Sequence, residues 1–469
     1  MSDNLPPNWS WVKLGDICET TSGGTPSRKN HGYFKGKIPW LKSGELGFNT
    51  IYDAEEKITK EALEDSSAKI FPKGTLLIAL YGATVGRLAF LGIDAATNQA
   101  IAAIFTPKEL DNKFLYWFLF SYRDKLLNER IGGAQPNISQ GTLKNIKIPF
   151  PPLYIQQNIV SKIEKLFSEL DSGVASLKKA KEQIKTYRQA VLASAFSGRL
   201  CGNINDNHRN LIHQIPLGEQ KNFINEIPTN SSDERLRDRQ EVGKNQNIDH
   251  LIHTQEVRAA AEPNLNYGSE LPAGWKWVKV SDVGEIVTGT TPSKKVKEYY
   301  GNDYPLYKPT DLNAGINTRE ANDNLSTIGI SKARLLPEKS ILVTCIGATI
   351  GKTGLNKIPG ATNQQINAII PSDNFLSEFI FYFCISEFFQ DQIKNNASST
   401  TLPILNKSKF ESLPFIKIPK EQQQQIVEEI EKRFSEADNL EKAIDESLAK
   451  AEALRQSILK QAFEGRLVE

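Results

Sequence analysis

The sequence predicts an α+β protein in which two mixed α/β domains form a tandem pseudo-two-fold repeat and are separated by two long antiparallel coiled-coil helices. Three observations predict this fold class. Sequence blocks recur in the same order in the two halves of the chain. Each half contains short β-rich runs broken by Gly and Pro. Each half also ends in a long stretch whose apolar residues follow three- and four-residue spacing, as paired helices do.

The repeat has a near-constant shift of ~266 residues. Its first block, Leu5-Pro6-Pro7-Asn8-Trp9-Ser10-Trp11-Val12-Lys13, returns as Leu271-Pro272-Ala273-Gly274-Trp275-Lys276-Trp277-Val278-Lys279. A duplication this long gives one polypeptide the geometry of a homodimer. The later blocks pair as Thr25-Pro26-Ser27 with Thr291-Pro292-Ser293, Gly82-Ala83-Thr84 with Gly347-Ala348-Thr349, Ala96-Thr97-Asn98-Gln99 with Ala361-Thr362-Asn363-Gln364, and Ala195-Phe196-Ser197-Gly198-Arg199-Leu200 with Ala462-Phe463-Glu464-Gly465-Arg466-Leu467.

With 469 residues, the chain is too long for one ordinary core. We expect a first domain over residues 1–153, a long helix over 154–200, a linker over 201–266, a second domain over 267–421 and a second long helix over 422–469. The linker is polar and lacks steady periodicity, so we expect it to have little core of its own.

Within each domain, the elements follow from local composition. An aromatic-rich helix is predicted in each copy, over Lys113 to Asn128 and Leu376 to Lys394. Each copy then closes on a proline-marked exit, at Pro149 and Pro419; proline disfavours helix in the residue before it, so a new element starts after it. The predicted strands are Gly74 to Leu80, Arg87 to Leu91, Ala100 to Phe105, Ser340 to Ile346 and Asn367 to Ile370.

The two long helices carry narrow apolar stripes that predict pairing with each other. Each runs for some 45 residues, or about 65 Å at the rise of an α-helix, and can act as a spacer. Two alternatives are docking of each stripe on its own domain and pairing between molecules. The predicted stripe residues are Ile159, Ile163, Leu166, Leu170, Val174, Leu177, Ile184 and Val191 in the first helix and Ile426, Ile430, Phe434, Ala437, Leu440, Ile444, Leu448, Ala451 and Ile458 in the second.

Composition narrows the function classes. The net charge is only +2, but a nucleic-acid surface needs only a local group of cations. The apolar runs are too short to span a bilayer and the N-terminus lacks the pattern of a signal peptide, so we expect a cytoplasmic protein. The cysteines, Cys18, Cys201, Cys345 and Cys384, lie far apart and form no cluster with the five histidines, which argues against a metal site or a disulfide framework.

One segment imitates a phosphate-binding loop. In Gly347-Ala348-Thr349-Ile350-Gly351-Lys352-Thr353 three residues separate the glycines, whereas that loop requires four. The other copy, which has Arg87-Leu88 at the equivalent place, lacks the Lys-Thr pair. We therefore expect no nucleotide site. A glycine turn followed by Arg87 or Lys352 can still meet a DNA phosphate.

The candidate binding residues are polar groups in loops that both copies share. Hydroxyl residues, glycines and paired cations suit contact with phosphate, although such runs are often plain loops. The Asn-Gln pairs suit either reading of adenine or support of a turn. Loops that differ between the copies, at Gln135, Asn137 and Ser139 and at Ser398 to Thr400, are candidates for reading different bases. The candidate nucleic-acid contacts are Thr21, Ser22, Thr25, Ser27, Arg28, Lys29, Tyr81, Thr84, Arg87, Asn98, Gln99, Gln135, Asn137, Thr288, Thr290, Thr291, Ser293, Lys294, Lys295, Thr349, Lys352, Asn363, Gln364, Ser399 and Thr400.

These blocks, in this order and twice, make the chain resemble the specificity subunit of a type I restriction-modification system. The motifs are Leu-Pro-x-x-Trp-x-Trp, Gly-Ala-Thr-x-Gly, Ala-Thr-Asn-Gln, a Gln-Gln-x-Ile-Val helix and a closing Ala-Phe-x-Gly-Arg-Leu. The resemblance covers essentially the full length. It implies two target-recognition domains that each read one half of a split site in double-stranded DNA, with the helices setting the gap between the halves.

The resemblance also implies partners. Two modification subunits would dock on the chain and carry the methyltransferase chemistry with S-adenosylmethionine, and restriction subunits would complete the nuclease. The chain itself would be non-catalytic, hold no cofactor and target the complex. The alternative is a coiled-coil-linked scaffold that binds proteins or glycans; it explains the duplication but not the paired cationic glycine loops. Salt-dependent duplex binding discriminates the two.

Overall fold

A computed structural model describes residues 5–128, 137–200, 268, 270–398 and 402–468. The predicted linker and the candidates Gln135, Ser399 and Thr400 lie outside these residues. The described chain divides into two compact units. The first comprises the residues up to Leu177 together with those from Glu446 onward, and the second is Lys178–Asp445.

The first unit is built on three sheets. The first copy of the repeat supplies strands β1 (Ser10–Lys13), β2 (Glu19–Ser22), β3 (Ile38–Leu41), β4 (Asn49–Ile51), β5 (Glu56–Ile58), β6 (Ile70–Phe71), β7 (Leu76–Ala79), β8 (Leu88–Leu91), β9 (Ala95–Thr97), β10 (Ile101–Phe105) and β11 (Lys147–Phe150). Their orders are β1-β11, β2-β10-β7-β8-β4 and β5-β3-β9-β6. The helices are α1 (Leu14–Ile17), α2 (Lys60–Glu64), α3 (Asn112–Asn128) and α4 (Gln140–Lys144), and the long α5 (Leu153–Phe196) starts in this unit.

The second unit repeats this plan. Its strands are β12 (Lys276–Lys279), β13 (Gly284–Thr288), β14 (Tyr300–Tyr307), β15 (Asp323–Leu325), β16 (Ile341–Thr344), β17 (Thr353–Leu355), β18 (Ala361–Thr362), β19 (Ile366–Pro371) and β20 (Pro414–Lys417), in the orders β12-β20, β13-β19-β16-β17 and β15-β14-β18. The helices are α6 (Thr327–Ile330), α7 (Ser377–Cys384), α8 (Glu387–Asn396), α9 (Lys407–Glu411) and α10 (Lys420–Phe463). The parallel pairs β3–β9 and β14–β18 occupy equivalent places.

Each predicted strand overlaps an observed strand, but the predicted helix from Leu376 to Lys394 is in fact two helices. The break falls at Ser386, whose hydroxyl accepts a hydrogen bond from the backbone N–H of Phe389 (3.4 Å). A serine that caps a new helix start in this way competes with continuation of the preceding helix.

Each long helix ends in the core of the opposite copy. In the first unit, Phe463 at the end of α10 packs edge-on against Phe114 and Phe118 of α3, with ring centroids 5.3 Å apart in both pairs. In the second unit, Phe196 at the end of α5 packs against Phe379 and Phe383 of α7, at 5.6 and 5.0 Å. The Ala-Phe-x-Gly-Arg-Leu motif is therefore an anchor that is buried in the other repeat.

Between these anchors, the helix segments run antiparallel within each unit. Asp171 pairs with Arg455 in the first unit. In the second unit, Lys181 pairs with Asp445 (2.6 Å) and Arg188 with Asp438 (2.5 Å). Residue numbers fall along α10 as they rise along α5, which defines the antiparallel sense.

The predicted stripe residues differ in burial. Eleven of them are buried and six are half-buried. The alternative of docking on the helix's own domain accounts for the start of each helix, since Ile159 and Ile163 join the first core and Ile426 and Ile430 the second. The buried set is Ile159, Ile163, Leu170, Ile184, Val191, Ile426, Ile430, Ala437, Ile444, Ala451 and Ile458; the half-buried set is Leu166, Val174, Leu177, Phe434, Leu440 and Leu448.

A buried glutamine joins each globular copy to its helix. Gln156 accepts a hydrogen bond from the backbone N–H of Asp111 (2.8 Å) and donates to the carbonyls of Glu109 (3.0 Å) and Pro151 (2.8 Å). Gln423 makes the equivalent bonds with the N–H of Leu376 and with two carbonyls. Since a buried amide is stable only when its polar atoms are paired, these bonds determine how the helix leaves the domain.

Candidate nucleic-acid interface

The glycine loop after the second strand of each copy, β2 or β13, lies directly against the Ala-Thr-Asn-Gln turn. The N–H of Gly24 donates to the carbonyl of Thr97 (2.9 Å), and a β-carbon on Gly23 would stand 2.1 Å from that oxygen. In the second copy, a β-carbon on Gly289 would stand 2.2 Å from the carbonyl of Asn363. Only glycine permits this approach.

A side-chain hydrogen bond then joins the two motifs. The hydroxyl of Thr25 donates to the amide oxygen of Gln99, and that of Thr291 donates to Gln364 (2.8 Å). Both glutamines are exposed. Among the described residues neither amide nitrogen has a partner, so each copy holds an oriented side-chain donor at its surface.

The asparagines of the same motifs have a different role. The side-chain oxygen of Asn98 accepts from the N–H of Ala100 (3.2 Å), and that of Asn363 accepts from the N–H of Gln365 (3.1 Å). Of the two roles that the sequence left open, the structure places both asparagines in turn support. The glutamines carry the exposed group.

Further polar residues are arranged around the second strand of each copy, β2 and β13. Gln140, which the sequence analysis missed, donates to the hydroxyl of Ser22 (2.7 Å) and accepts from Thr20 (2.9 Å). Thr21 accepts a hydrogen bond from Lys69 (3.1 Å). In the second copy, Thr288 donates to Asn367 (2.7 Å). Gln140 follows the divergent loop in sequence, and only the tertiary fold brings it to β2.

The Gly-Ala-Thr-x-Gly segment forms a tight turn between two strands. Its glycines have positive φ, +72° at Gly82 and Gly86, +104° at Gly347 and +88° at Gly351. The turn leads into β8 or β17 and not into a helix, so it lacks the helix N-terminus that a nucleotide phosphate loop uses.

The polar residues in and after this turn differ in burial and hydrogen bonding. Arg87 and Lys352 immediately precede the following strand, β8 or β17, and are half-buried. The hydroxyl of Thr84 donates to the carbonyl of Tyr81 (3.1 Å), while Thr349 is exposed.

The first cation after each Thr-Pro-Ser motif forms an ion pair. Arg28 contacts Glu56 through both terminal nitrogens (2.6 and 3.3 Å) and stacks over Phe34, with its guanidinium carbon 4.2 Å from the ring centroid. Lys294 pairs with Asp323 (3.2 Å). The remaining loop residues of this set are half-buried at Thr290 and exposed at Ser27, Lys29, Ser293 and Lys295.

At one pair of equivalent positions the two copies differ in chemistry. Tyr81 and Asn137 form an isolated β-bridge in the first copy, and Ile346 and Ile404 form the same bridge in the second. Tyr81 is 40% exposed and Ile404 is 37% exposed. The scaffold is therefore retained while the surface changes from polar and aromatic to aliphatic. Ser139, another divergent-loop residue, caps α4 by accepting from the N–H of Thr142 (2.9 Å).

The described residues offer little nucleophilic or metal-binding chemistry. Burial raises the pKa of Cys18 and of Cys345 to about 12, so both thiols stay protonated near neutral pH. In this part of the chain, no group of three or more His, Cys, Asp and Glu side chains is placed to hold a metal ion. None of its helices is long and apolar enough to cross a membrane.

Comparison with known proteins agrees with this architecture. The specificity subunit of the type I restriction enzyme HindI from Haemophilus influenzae is 26% identical over 442 residues, covering 88% of this chain and 90% of the relative. The EcoDI specificity subunit from Escherichia coli is 22% identical over 469 residues, covering 99% of this chain and 89% of the relative.

Solved structures show the same fold. A chain from a study of complex assembly and conformational transition of the type I R-M system aligns with a TM-score of 0.71 at 18% identity, over 99% of this chain and 100% of that one. The HsdS subunit from Thermoanaerobacter tengcongensis aligns with a TM-score of 0.56 at 17% identity, over 98% of each chain. The model of the type I restriction modification DNA specificity domain matches residues 6–185 and again residues 272–450. This chain therefore belongs to that family of DNA specificity domains and contains the domain twice.

Proposed function

We propose that each copy of the domain reads one half of a bipartite site in double-stranded DNA, and that the chain targets a type I restriction-modification complex without catalysing a reaction itself. The proposal rests mainly on the isolated β-bridge that both copies form. Its backbone pairing is the same in the two copies, but its side chains are Tyr81 and Asn137 in the first and Ile346 and Ile404 in the second. A shared scaffold with different exposed groups is what two half-sites of different sequence require.

The chemistry of the bridge residues fits base recognition. An asparagine amide such as Asn137 can pair with adenine in the major groove, whereas an exposed Ile404 suits contact with the methyl group of thymine. Gln99 and Gln364 are held by their threonine partners with the amide NH₂ outward, and they supply a donor that both copies share. The hydroxyl and glycine loops then contact phosphates, which position the duplex without reading it.

The long helices provide the second half of the function. We propose that they set the gap between the half-sites and dock two modification subunits, which hold S-adenosylmethionine and methylate the DNA; restriction subunits join the same complex. Continuous helices of 44 residues each, about 65 Å at the α-helical rise, support the spacer role. We expect the complex in the cytoplasm, where its DNA substrate lies.

The decisive experiment combines copurification and mapping. The chain is coexpressed with the type I modification subunits of its source, the complex is isolated, and methylated sites are mapped by sequencing. A split motif with a constant gap is expected. If the chain copurifies with no modification subunit and binds no duplex at any salt concentration, the scaffold alternative replaces this proposal.

A further inference from the structure

An ion cluster recurs in both copies beside the glycine loop, and sequence analysis did not find it. In the first copy, Glu56 lies between Arg28 (2.6 Å) and Lys42 (3.2 Å). In the second, Asp323 lies between Lys294 (3.2 Å) and Lys308, whose ammonium also contacts it. Each cluster thus contains two cations around one shared carboxylate.

Strand register shows that the two clusters are equivalent. Glu56 is opposite Trp40 in the β3–β5 pair, and Asp323 is opposite Leu306 in the β14–β15 pair. Lys42 and Lys308 follow the strands β3 and β14 at the same distance from these partners. The match is positional and not a chance similarity of composition.

In each copy, a further acidic residue accepts hydrogen bonds from the backbone beside the cluster. Glu45 accepts from the backbone N–H of Lys42 (2.7 Å) and of Glu55 (3.0 Å). Asp311 accepts from the N–H of Lys308 (2.8 Å) and of Asn322 (3.3 Å). This carboxylate joins the lysine turn to the segment that carries the shared acid, so the position of each lysine is built into the backbone.

The electrostatics keep the cluster charged. Hydrogen bonding from Arg28 and then from Lys42 lowers the pKa of Glu56, and bonding from Lys308 and then from Lys294 lowers the pKa of Asp323. Glu55 and then Glu56 raise the pKa of Lys42. With the shared acid ionised, each carboxylate faces two cations; in the first copy Lys42 also pairs with Glu55 (2.8 Å), so there two cations face two carboxylates.

Stability does not explain why both copies keep this arrangement. The ammonium and carboxylate groups are partly exposed, and such ion pairs contribute little to folding. The β-bridge of Tyr81 and Asn137, in contrast, has different side chains in the second copy, Ile346 and Ile404. The two half-sites differ in base sequence but share the same phosphate backbone. An ion cluster that is present in both copies is therefore suited to contact phosphate.

We propose that Arg28–Glu56–Lys42 and Lys294–Asp323–Lys308 are equivalent phosphate anchors, one in each reading domain, with the carboxylate holding two cations in position for a DNA phosphate. The inference rests on the proposed function and adds Lys42 and Lys308 to the binding surface. Preorganised cations lose less rotamer entropy on binding than free ones.

The test uses Lys42→Gln and Lys308→Gln in the full chain with its modification subunits. Affinity is measured for the mapped target and for an unrelated duplex over a range of salt concentrations. Each variant should weaken both duplexes about three- to tenfold and reduce the slope of log affinity against log salt by about 1, because one phosphate contact is lost. The mapped half-sites should stay unchanged.

Two further sets of variants test whether the effect comes from the charge at Lys42 and Lys308. Lys57 is the matched control: it follows Glu56 on β5, so its side chain points to the opposite face, and it pairs with Asp53 (3.1 Å). Lys57→Gln should leave affinity and slope unchanged. Lys42→Arg and Lys308→Arg keep the charge and should keep the slope; if they lose it as the glutamine variants do, the lysines are structural and the inference is wrong.

Glu56→Gln tests the shared acid. Because the proposed role of this carboxylate is to hold Arg28 and Lys42 in position, Glu56→Gln should weaken binding of all duplexes, and stronger binding at low salt would show that the acid only neutralises the cations. The proposed function fails if the unmodified complex binds no duplex. The anchor alone fails if that complex binds normally and the Lys42 and Lys308 variants match it at every salt concentration.

Discussion

Gly465, just beyond the end of α10, lies against Pro6: a β-carbon on Gly465 would stand 2.1 Å from the Cγ of that proline. Gly198, beyond α5, has the same relation to Pro272, at 2.2 Å. Both glycines have positive φ, +72° and +79°. The first and last motifs of the repeat therefore meet across the two copies of the sequence, within each compact unit.

This contact predicts a stability effect. Gly465→Ala and Gly198→Ala should each destabilise the protein by about 2 kcal/mol, from the left-handed backbone and the overlap with proline. Gly173→Ala is the control, because Gly173 is helical and a β-carbon there would meet nothing within 4 Å. It should stabilise by about 0.5 kcal/mol. Urea unfolding midpoints measure all three, and equal midpoints would contradict the predicted contact.

The buried joint glutamines should be essential for folding stability. Gln156→Leu and Gln423→Leu each leave three backbone groups without partners, at a cost of about 3 kcal/mol or more. The exposed neighbour Gln157 is the matched control, and Gln157→Leu should change stability by less than about 0.5 kcal/mol. Thermal unfolding of the three variants decides the matter, and a joint variant as stable as the control would show that these bonds contribute nothing.

The turn cations should act on every duplex alike. Arg87→Ala and Lys352→Ala are expected to weaken binding of target and unrelated DNA by similar factors, about three- to tenfold, with a smaller salt slope. Fluorescence anisotropy against both duplexes measures this. Unchanged affinity in Arg87→Ala would mean that the turn faces away from the DNA.

The bridge residues should act on sequence preference instead. Asn137→Ala is expected to relax the base preference in one half-site only, and Ile404→Ala in the other half-site only, because the two bridges lie in different copies. A lost bidentate base contact costs about 1–3 kcal/mol of discrimination at that position. Sequencing of methylated sites from cells that carry each variant gives the answer; two unaltered half-sites would exclude the bridge from base reading.

If the long helices set the gap between the half-sites, an insertion should change that gap and nothing else in the recognition sequence. Residues inserted at the first helix-to-domain junction should lengthen the tolerated gap and leave both half-sites as they were. Half-sites about 34 Å apart, one turn of DNA, are the expected starting geometry for paired major-groove readers. Methylation mapping of the insertion variant tests this, and a changed half-site with an unchanged gap would reject the ruler model.

Local patterns in the sequence determined the two copies, the strands around the glycine turns and the two long helices, because alternation, helical spacing and repeated motifs are visible without any contact. The helix break at Ser386 was missed because the apolar residues continue across it. The Asn-Gln motifs could be identified as polar turns, but their spacing alone does not tell which amide supports the turn and which is exposed.

Tertiary structure alone decided what each motif touches. Phe463 enters the core around Phe114, Thr25 bonds to Gln99, and Lys42 shares Glu56 with Arg28. These partners are far apart in the chain, and their meeting depends on strand order and register, which result from burial of the whole sheet faces and not from any local preference. The residues proposed as phosphate anchors could therefore be found only once the strands had been paired.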